Sequence, residues 1–260
     1  MIVALFAAFP QELKHIHRYR ASDQTSKPRP FLLHRKHSPS CDVIAIQTGI
    51  GAANVESAFR GVLQKCFPDI VLSVGFGGAV YEQAEIGDIV WSSGSYLIRG
   101  AATQQHEYLS EDDVPDSTFG RRLGEMLNER IVAREGRIVT LSAMMAKSKI
   151  SKLIPGDFSF PVCDMETFYL ARLSHQNRVP FLAVRSISDR LDEDIPPELL
   201  AVSDRTGQYH FSRAFGLLLT KPELIPASIR LGRNAARASK SLGKAVDSLV
   251  EILVTCMPRE

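Results

Sequence analysis

Long apolar runs are missing from this 260-residue chain, and none approaches the ~20 residues that a membrane-spanning helix requires. Cysteine is scarce. The four copies (Cys41, Cys66, Cys163 and Cys256) have neither paired spacing nor a metal-ligand pattern. That points to reduced, buried thiols in a cytoplasmic protein. Charge of one sign is not in excess, since 31 Lys+Arg against 29 Asp+Glu leave a net charge of +2. The global balance therefore calls for neither nucleic acid nor a membrane as partner. Internal repeats, low-complexity segments and interdomain linkers are absent from the sequence, and no ligand cluster for a metal or organic cofactor is visible. What remains is 45% hydrophobic and 23% charged, enough for a large core without a disorder signature. The length is ordinary for a single α/β domain.

Residues 2–8 are uniformly apolar and read as a first strand, central in a sheet because polar alternation is lacking. The stretch lacks the basic leader of a secretion signal. Phe9-Pro10-Gln11-Glu12 opens a helix, with Pro10 in the first turn, where its missing N–H costs nothing. Glu12 thus lies at a strand end and near a helix N-terminus, where the dipole favours its charged form. It is either a helix-start residue or part of a site. Residues 22–30 read as a loop, and residues 31–35 and 43–48 as a pair of strands. Thr48-Gly49-Ile50-Gly51-Ala52-Ala53-Asn54 is a glycine-rich turn into a helix reaching about residue 66. Without a Gly-Lys-Ser/Thr ending it is no phosphate loop. Residues 69–74 form the next strand, followed by a glycine turn, Gly75-Phe76-Gly77-Gly78-Ala79. Its glycines serve tight packing or close approach to a ligand. Residues 85–90 are a turn into a strand. Residues 97–108 read as polar and irregular, and their Arg99 and His106 as solvated surface residues. An amphipathic helix follows at 116–129 and a strand at 137–141. Met144 and Met145 are then either a core pair or a soft cover for a flat ligand.

The organising stretch is 162–190. A short apolar strand ends in Asp164-Met165-Glu166, a helical pattern runs to residue 177, and a nearly continuous apolar strand at 179–184 turns polar at Ser186, Ser188 and Asp189. Ligands of open α/β sheets sit at the carboxyl ends of strands. Glu166 and Asp189 therefore either converge on one ligand or merely cap a helix and a turn.

Asp-Met-Glu followed some twenty residues later by Val-Arg-Ser-Ile-Ser-Asp resembles the nucleoside phosphorylase/nucleosidase superfamily, and within it the methylthioadenosine/S-adenosylhomocysteine nucleosidases. The resemblance spans about residues 1–190. It implies a three-layer α/β/α fold with a central twisted mixed sheet, one domain over 1–260 with a helical extension over about 207–254, and a homodimer. It also implies cleavage of the N-ribosyl bond of a purine nucleoside without a cofactor or metal. Asp189 would protonate the departing purine, Glu166 would grip the ribose hydroxyls and favour a cationic sugar, and Glu12 would activate water. Met165 would pack on the ribose, Gly77, Gly78 and Phe76 would line the pocket beside Ser188, and Met144 would stand where the family stacks an aromatic ring on the base. Phe76 departs from the small or hydroxyl residue common there. A phosphorylase would need arginines around phosphate, and none follows the early glycine turns, so hydrolysis of a 5′-substituted adenosine is expected over phosphorolysis.

Residues 191–204, acidic at first and carrying Pro196-Pro197, read as a loop over the site, and 207–219 as a helix. Over 222–253, Arg230, Arg233, Arg237, Lys240 and Lys244 recur at helical steps as a basic stripe, opposite a packed face of Ile225, Ile229, Leu242, Val246, Leu249 and Leu253. This ending resembles hopanoid-associated members of the superfamily, which would imply a lipid-linked adenosine and transient membrane contact through the basic stripe.

Overall fold

A computed structural model gives the fold and describes residues 1–16, 25–26, 32–36, 41–99, 108–114, 116–193, 196, 217 and 220–256. His106 and most of the expected loop at 191–204 and helix at 207–219 lie outside the described residues. The strands are β1 (Ile2–Ala7), β2 (Thr25–Ser26), β3 (Leu32–Lys36), β4 (Asp42–Gln47), β5 (Ile70–Ala79), β6 (Ile89–Ser92), β7 (Ser95–Arg99), β8 (Tyr108–Val114), β9 (Arg134–Glu135), β10 (Ile138–Leu141), β11 (Val162–Asp164) and β12 (Phe181–Asp189). The helices are α1 (Pro10–Leu13), α2 (Ala52–Leu63), α3 (Thr118–Asn128), α4 (Lys147–Leu153), α5 (Thr167–Gln176) and α6 (Ile225–Cys256), with a 3₁₀ turn at Pro222–Leu224 before α6.

All strands among the described residues join one mixed sheet. β1 lies between β4 and β5, parallel to both, which is the central position its unbroken apolar sequence demands. β3 pairs antiparallel with β4, as the strand pair in the sequence implies. Period-two alternation splits β1 between two cores. Val3, Leu5 and Ala7 face a layer holding Leu123 and Leu127 of α3 and Leu242, Val246 and Leu249 of α6. Ala4 and Phe6 face Val55 and Phe59 of α2 and Phe168 of α5. Helices thus cover both faces of the sheet in three layers. Burying each large aliphatic side chain contributes about 1.5–3 kcal/mol.

Four expectations need correction. The glycines after residue 74 do not turn: β5 runs straight through them to Ala79. Positive φ occurs at Gly49, Gly51 and Gly87 but not at Gly75, Gly77 or Gly78, so these three give room rather than backbone freedom. The strand expected to start at residue 179 starts at Phe181, and β12 runs on to Asp189, the acid expected at its end, because its polar end pairs with β5 as far as Gly78. Residues 97–99 are strand, with Leu97 and Ile98 buried. On α6 the packed stripe holds for Leu242, Val246, Leu249 and Leu253, whereas Ile225 and Ile229 are exposed, since the helix meets the sheet only with its later turns. No helix among the described residues is long and apolar enough to cross a membrane.

β5 positions the site. It borders β1 over its first half, β11 near its end and β12 along nearly all its length. Helix α6 clamps α1 from behind: Ser239 Oγ donates to the Gln11 carbonyl at 2.6 Å, and a Cβ on Gly243 would stand 2.3 Å from the His15 carbonyl oxygen. We expect Gly243→Ala to lower stability by about 1–3 kcal/mol through this overlap with rigid backbone, outweighing the roughly 1 kcal/mol that alanine adds to a helix. A lower urea midpoint at unchanged slope is the expected readout.

Candidate active site

Glu12 is 2% exposed. Its Oε2 accepts the backbone N–H groups of Ala8 and Phe9, both at 2.8 Å, and Oε1 accepts that of Phe76 at 2.7 Å. The first two close the start of α1, as a helix-start glutamate does; the third reaches across to β5. A Cβ on Gly75 would stand 2.7 Å from Oε1, so only glycine admits the carboxylate there. Burial pushes the Glu12 carboxyl up to about 7, against the three N–H donors and the Arg185 charge, which pull it down. The helix-dipole expectation for Glu12 is therefore overridden. A helix of four residues has little dipole, and desolvation dominates.

Asp164 and Arg185 form the buried ion pair beneath the site. Arg185 Nε and Nη2 donate to Asp164 Oδ2 at 2.9 and 2.6 Å. The same guanidinium donates to Ser73 O and Oγ and to Thr167 Oγ1. Asp164 also accepts the Thr167 N–H at 3.1 Å and the Thr140 hydroxyl at 2.6 Å, so it fastens the start of α5. Glu166, at the N-cap position, makes no side-chain cap. Its Oε1 instead accepts the Gly51 N–H at 2.9 Å, which fixes the glycine turn after β4 against the site. Burial first, and the Asp164 charge second, push the Glu166 carboxyl up. Glu12, Glu166, Phe76 and Arg185 line one cavity with Ala8, Thr48, Ser73 and Gly75.

Asp189 closes β12, 6% exposed, opposite Gly78 in register. A Cβ on Gly78 would stand 2.7 Å from its Oδ2. Ser188 Oγ donates to Asp189 Oδ1 at 2.7 Å, and Lys147 Nζ lies 2.6 Å from Oδ2. Glu12 meets β5 at Phe76 and Asp189 meets it at Gly78, two residues or about 7 Å along the strand.

The structure brings Glu12, Glu166 and Phe76 to one cavity, while Ser188 and Asp189 lie against Gly77 and Gly78 outside its lining; Met165, beside Glu166, is partly buried. Gly77 is packed, with Val162 Cγ1 where its Cβ would be, so it does not line the cavity through a side chain. Met144 is 48% exposed, while Met145 packs with Ile150 and Cys163. The two are not a core pair, and Met144 is not stacked in the cavity that holds the glutamates. Arg185 and Lys147 were not singled out from the sequence. An arginine inside the apolar run of β12 carries a signal, because a charge there demands a buried partner. Lys147 carries none, standing with Lys149 and Lys152 on a short helix.

The Phosphorylase superfamily matches residues 2–219, and the chain belongs to that superfamily. Among individual relatives, a 5′-methylthioadenosine/S-adenosylhomocysteine nucleosidase of Shewanella loihica is 24% identical over 241 residues, covering 84% of this chain and 99% of that protein. The corresponding nucleosidase of Shewanella oneidensis is 27% identical over 212 residues, covering 73% and 83%. Among solved structures, a 5′-methylthioadenosine/S-adenosylhomocysteine nucleosidase of Helicobacter pylori superposes with a TM-score of 0.72 at 16% identity, covering 96% of this chain and 98% of that one. The futalosine hydrolase of Helicobacter pylori does so with 0.72 at 15%, covering 96% and 97%. The likeness to these structures lies in the fold.

Arg185→Met leaves Asp164 as a buried charge without its counter-ion. The expected cost is about 3–5 kcal/mol, read as a lower denaturant midpoint; a loss under 1 kcal/mol would contradict the role assigned to the pair.

Proposed function

We propose that this protein hydrolyses the N-ribosyl bond of a 5′-substituted adenosine, of the methylthioadenosine/S-adenosylhomocysteine type, and releases adenine. The observation that carries this reading is the Glu12 carboxylate, buried on three backbone N–H groups and raised to about 7. That is where a general base at neutral pH belongs. Glu12 takes a proton from water as the oxygen attacks the sugar. Glu166 accepts the ribose hydroxyls, with Met165 against the ring. Asp189, oriented by Ser188, gives its proton to the purine. The strand through Phe76, Gly77 and Gly78 walls base and ribose. The cavity is rich in carboxylates and short of counter-charge, so a cationic sugar in the transition state is favoured over the neutral ground state.

Water is preferred to phosphate as nucleophile for a reason visible in the same cavity. Its one cationic lining residue among those described, Arg185, is already committed to Asp164, Ser73 and Thr167. Two glutamates beside it would repel an anion. Base release from a panel of nucleosides tests the reading: a 5′-thio-substituted adenosine should yield adenine and free sugar at equal rates with and without phosphate. Strict phosphate dependence would move the protein to the phosphorylases.

Asp189→Asn should keep fold and substrate affinity and lose about 10²–10⁴-fold in turnover; near wild-type rates contradict its assignment. Protonated Glu12 cannot accept a proton from water, so kcat/KM should fall as pH drops below about 7, and Glu12→Gln should be inactive across the range.

The sequence resemblance also supports one domain with a C-terminal helical extension, working as a homodimer in the cytoplasm; light scattering reads the subunit number. One further observation favours a lipid-bearing 5′ substituent as the second reading: all five basic residues of the α6 stripe are exposed, with Ile225 and Ile229 exposed at the same end. Each such residue contributes about 1 kcal/mol near an anionic bilayer. Salt-sensitive sedimentation with anionic vesicles should be lost when Arg230, Arg233, Arg237, Lys240 and Lys244 become Gln. Equal sedimentation of wild type and variant removes the second reading.

A further inference from the structure

Resting on the nucleosidase reading, we propose that Lys147 is the proton source behind Asp189, so that purine departure is driven by a Lys147–Asp189 pair rather than by a lone carboxylic acid. Lys147 opens α4, and its side chain runs under Gly78 to the end of β12. Its Cε would stand 3.3 Å from a Cβ on Gly78, and its Nζ lies 2.6 Å from Asp189 Oδ2 while also donating to the Arg190 carbonyl. The two side chains are 6% and 9% exposed. A lysine hidden this deeply is rare unless it is paired. Here its partner is the group to which the chemistry assigns a proton.

The pairing creates a difficulty that a proton transfer resolves. A carboxylate facing an ammonium is charged, and a charged Asp189 has no proton to give. In a water-poor site, however, the ion pair loses much of its solvation advantage over the neutral pair, amine plus carboxylic acid. The surroundings are of that kind: both side chains are under a tenth exposed, and the neighbouring Cys163 thiol, bonded to Gly78 O, is buried. Moving one proton from Nζ to Asp189 therefore converts the resting ion pair into the acid the reaction uses, with no net charge change in the pair.

A Lys147 Nζ–H bond breaks and an Asp189 O–H bond forms. Asp189 passes this proton to a ring nitrogen of the purine as the C1′–N bond breaks, its electron pair leaving with the base. Water oxygen bonds to C1′ and its proton goes to Glu12. Release of that proton to solvent and uptake of one by Lys147 restore the resting state.

Arginine and glutamine separate a proton source from a charge that merely holds Asp189 in place. A guanidinium keeps the positive charge but does not give up a proton, whereas a buried ammonium can. We expect Lys147→Arg and Lys147→Gln each to lower kcat for release of adenine from a 5′-thio-substituted adenosine by about 10²–10⁴-fold, with KM within threefold of wild type. The double variant Lys147→Arg/Asp189→Asn should be no slower than Asp189→Asn alone, because both changes interrupt one proton path. Wild-type turnover in Lys147→Arg, or losses that multiply in the double variant, would overturn the proposal. If the arginine variant does not fold, Lys147→Gln decides: a fall confined to kcat supports the relay, and a parallel rise in KM marks a structural lysine and overturns it. A wild type that releases no base defeats the nucleosidase reading itself, which is a different result from a wild type that turns over and a lysine variant that keeps pace.

Discussion

The Arg185 guanidinium holds the site together: it joins β12 to the middle of β5 through Ser73 and to the start of α5 through Asp164 and Thr167. Because each of these contacts is buried, none can be exchanged for water without leaving a polar group unpaired. A buried ion pair adds little net stability compared with apolar packing, yet breaking it is costly. Its value here lies in position. With Asp164 tied down, α5 begins at a fixed point and Glu166 is left without a capping duty, turned instead toward the Gly51 N–H. With β12 tied to β5, Asp189 arrives opposite Gly78, and Glu12 reaches the Phe76 N–H from the other side.

That arrangement concentrates negative charge where solvent is largely excluded. Glu12 and Glu166 are both pushed toward their neutral forms, chiefly by burial, and Arg185 is too heavily engaged to neutralise them. A pocket in this state favours whatever brings positive charge to it. Under the proposed mechanism a ribosyl cation brings that charge only as the bond breaks, which is the differential binding that accelerates a reaction rather than merely tightening substrate association. The smallness of Gly75 and Gly78 has the same purpose, letting carboxylate oxygens come against β5 where any Cβ would collide.

Much of this was legible in the sequence, for definite reasons. β1 announces itself by an unbroken apolar run, and β11, α5 and β12 by an apolar–acid–amphipathic–apolar order. Acids at strand ends point to a site in any open α/β sheet, and the Asp-Met-Glu and Val-Arg-Ser-Ile-Ser-Asp strings give them roles by resemblance. The rest was hidden by degeneracy. Glycine written between strands serves equally for a turn or for close approach, so β5 was expected to stop at residue 74. A helix-start glutamate is favoured as an anion by the dipole and disfavoured by burial, and burial is a tertiary fact. Met144 and Met145 are the same residue type in the same segment, and only packing separates the exposed one from the packed one. Lys147 differs from Lys149 and Lys152 in nothing but where α4 points.

Turnover in this site hinges on the state of one carboxyl group, that of Glu12. A ¹³C NMR titration of the free protein, with the Glu12 carboxyl carbon assigned by comparison with Glu12→Gln, reads that state directly. A midpoint near 7 is expected, and a midpoint in the ordinary glutamate range near 4.5 would contradict it.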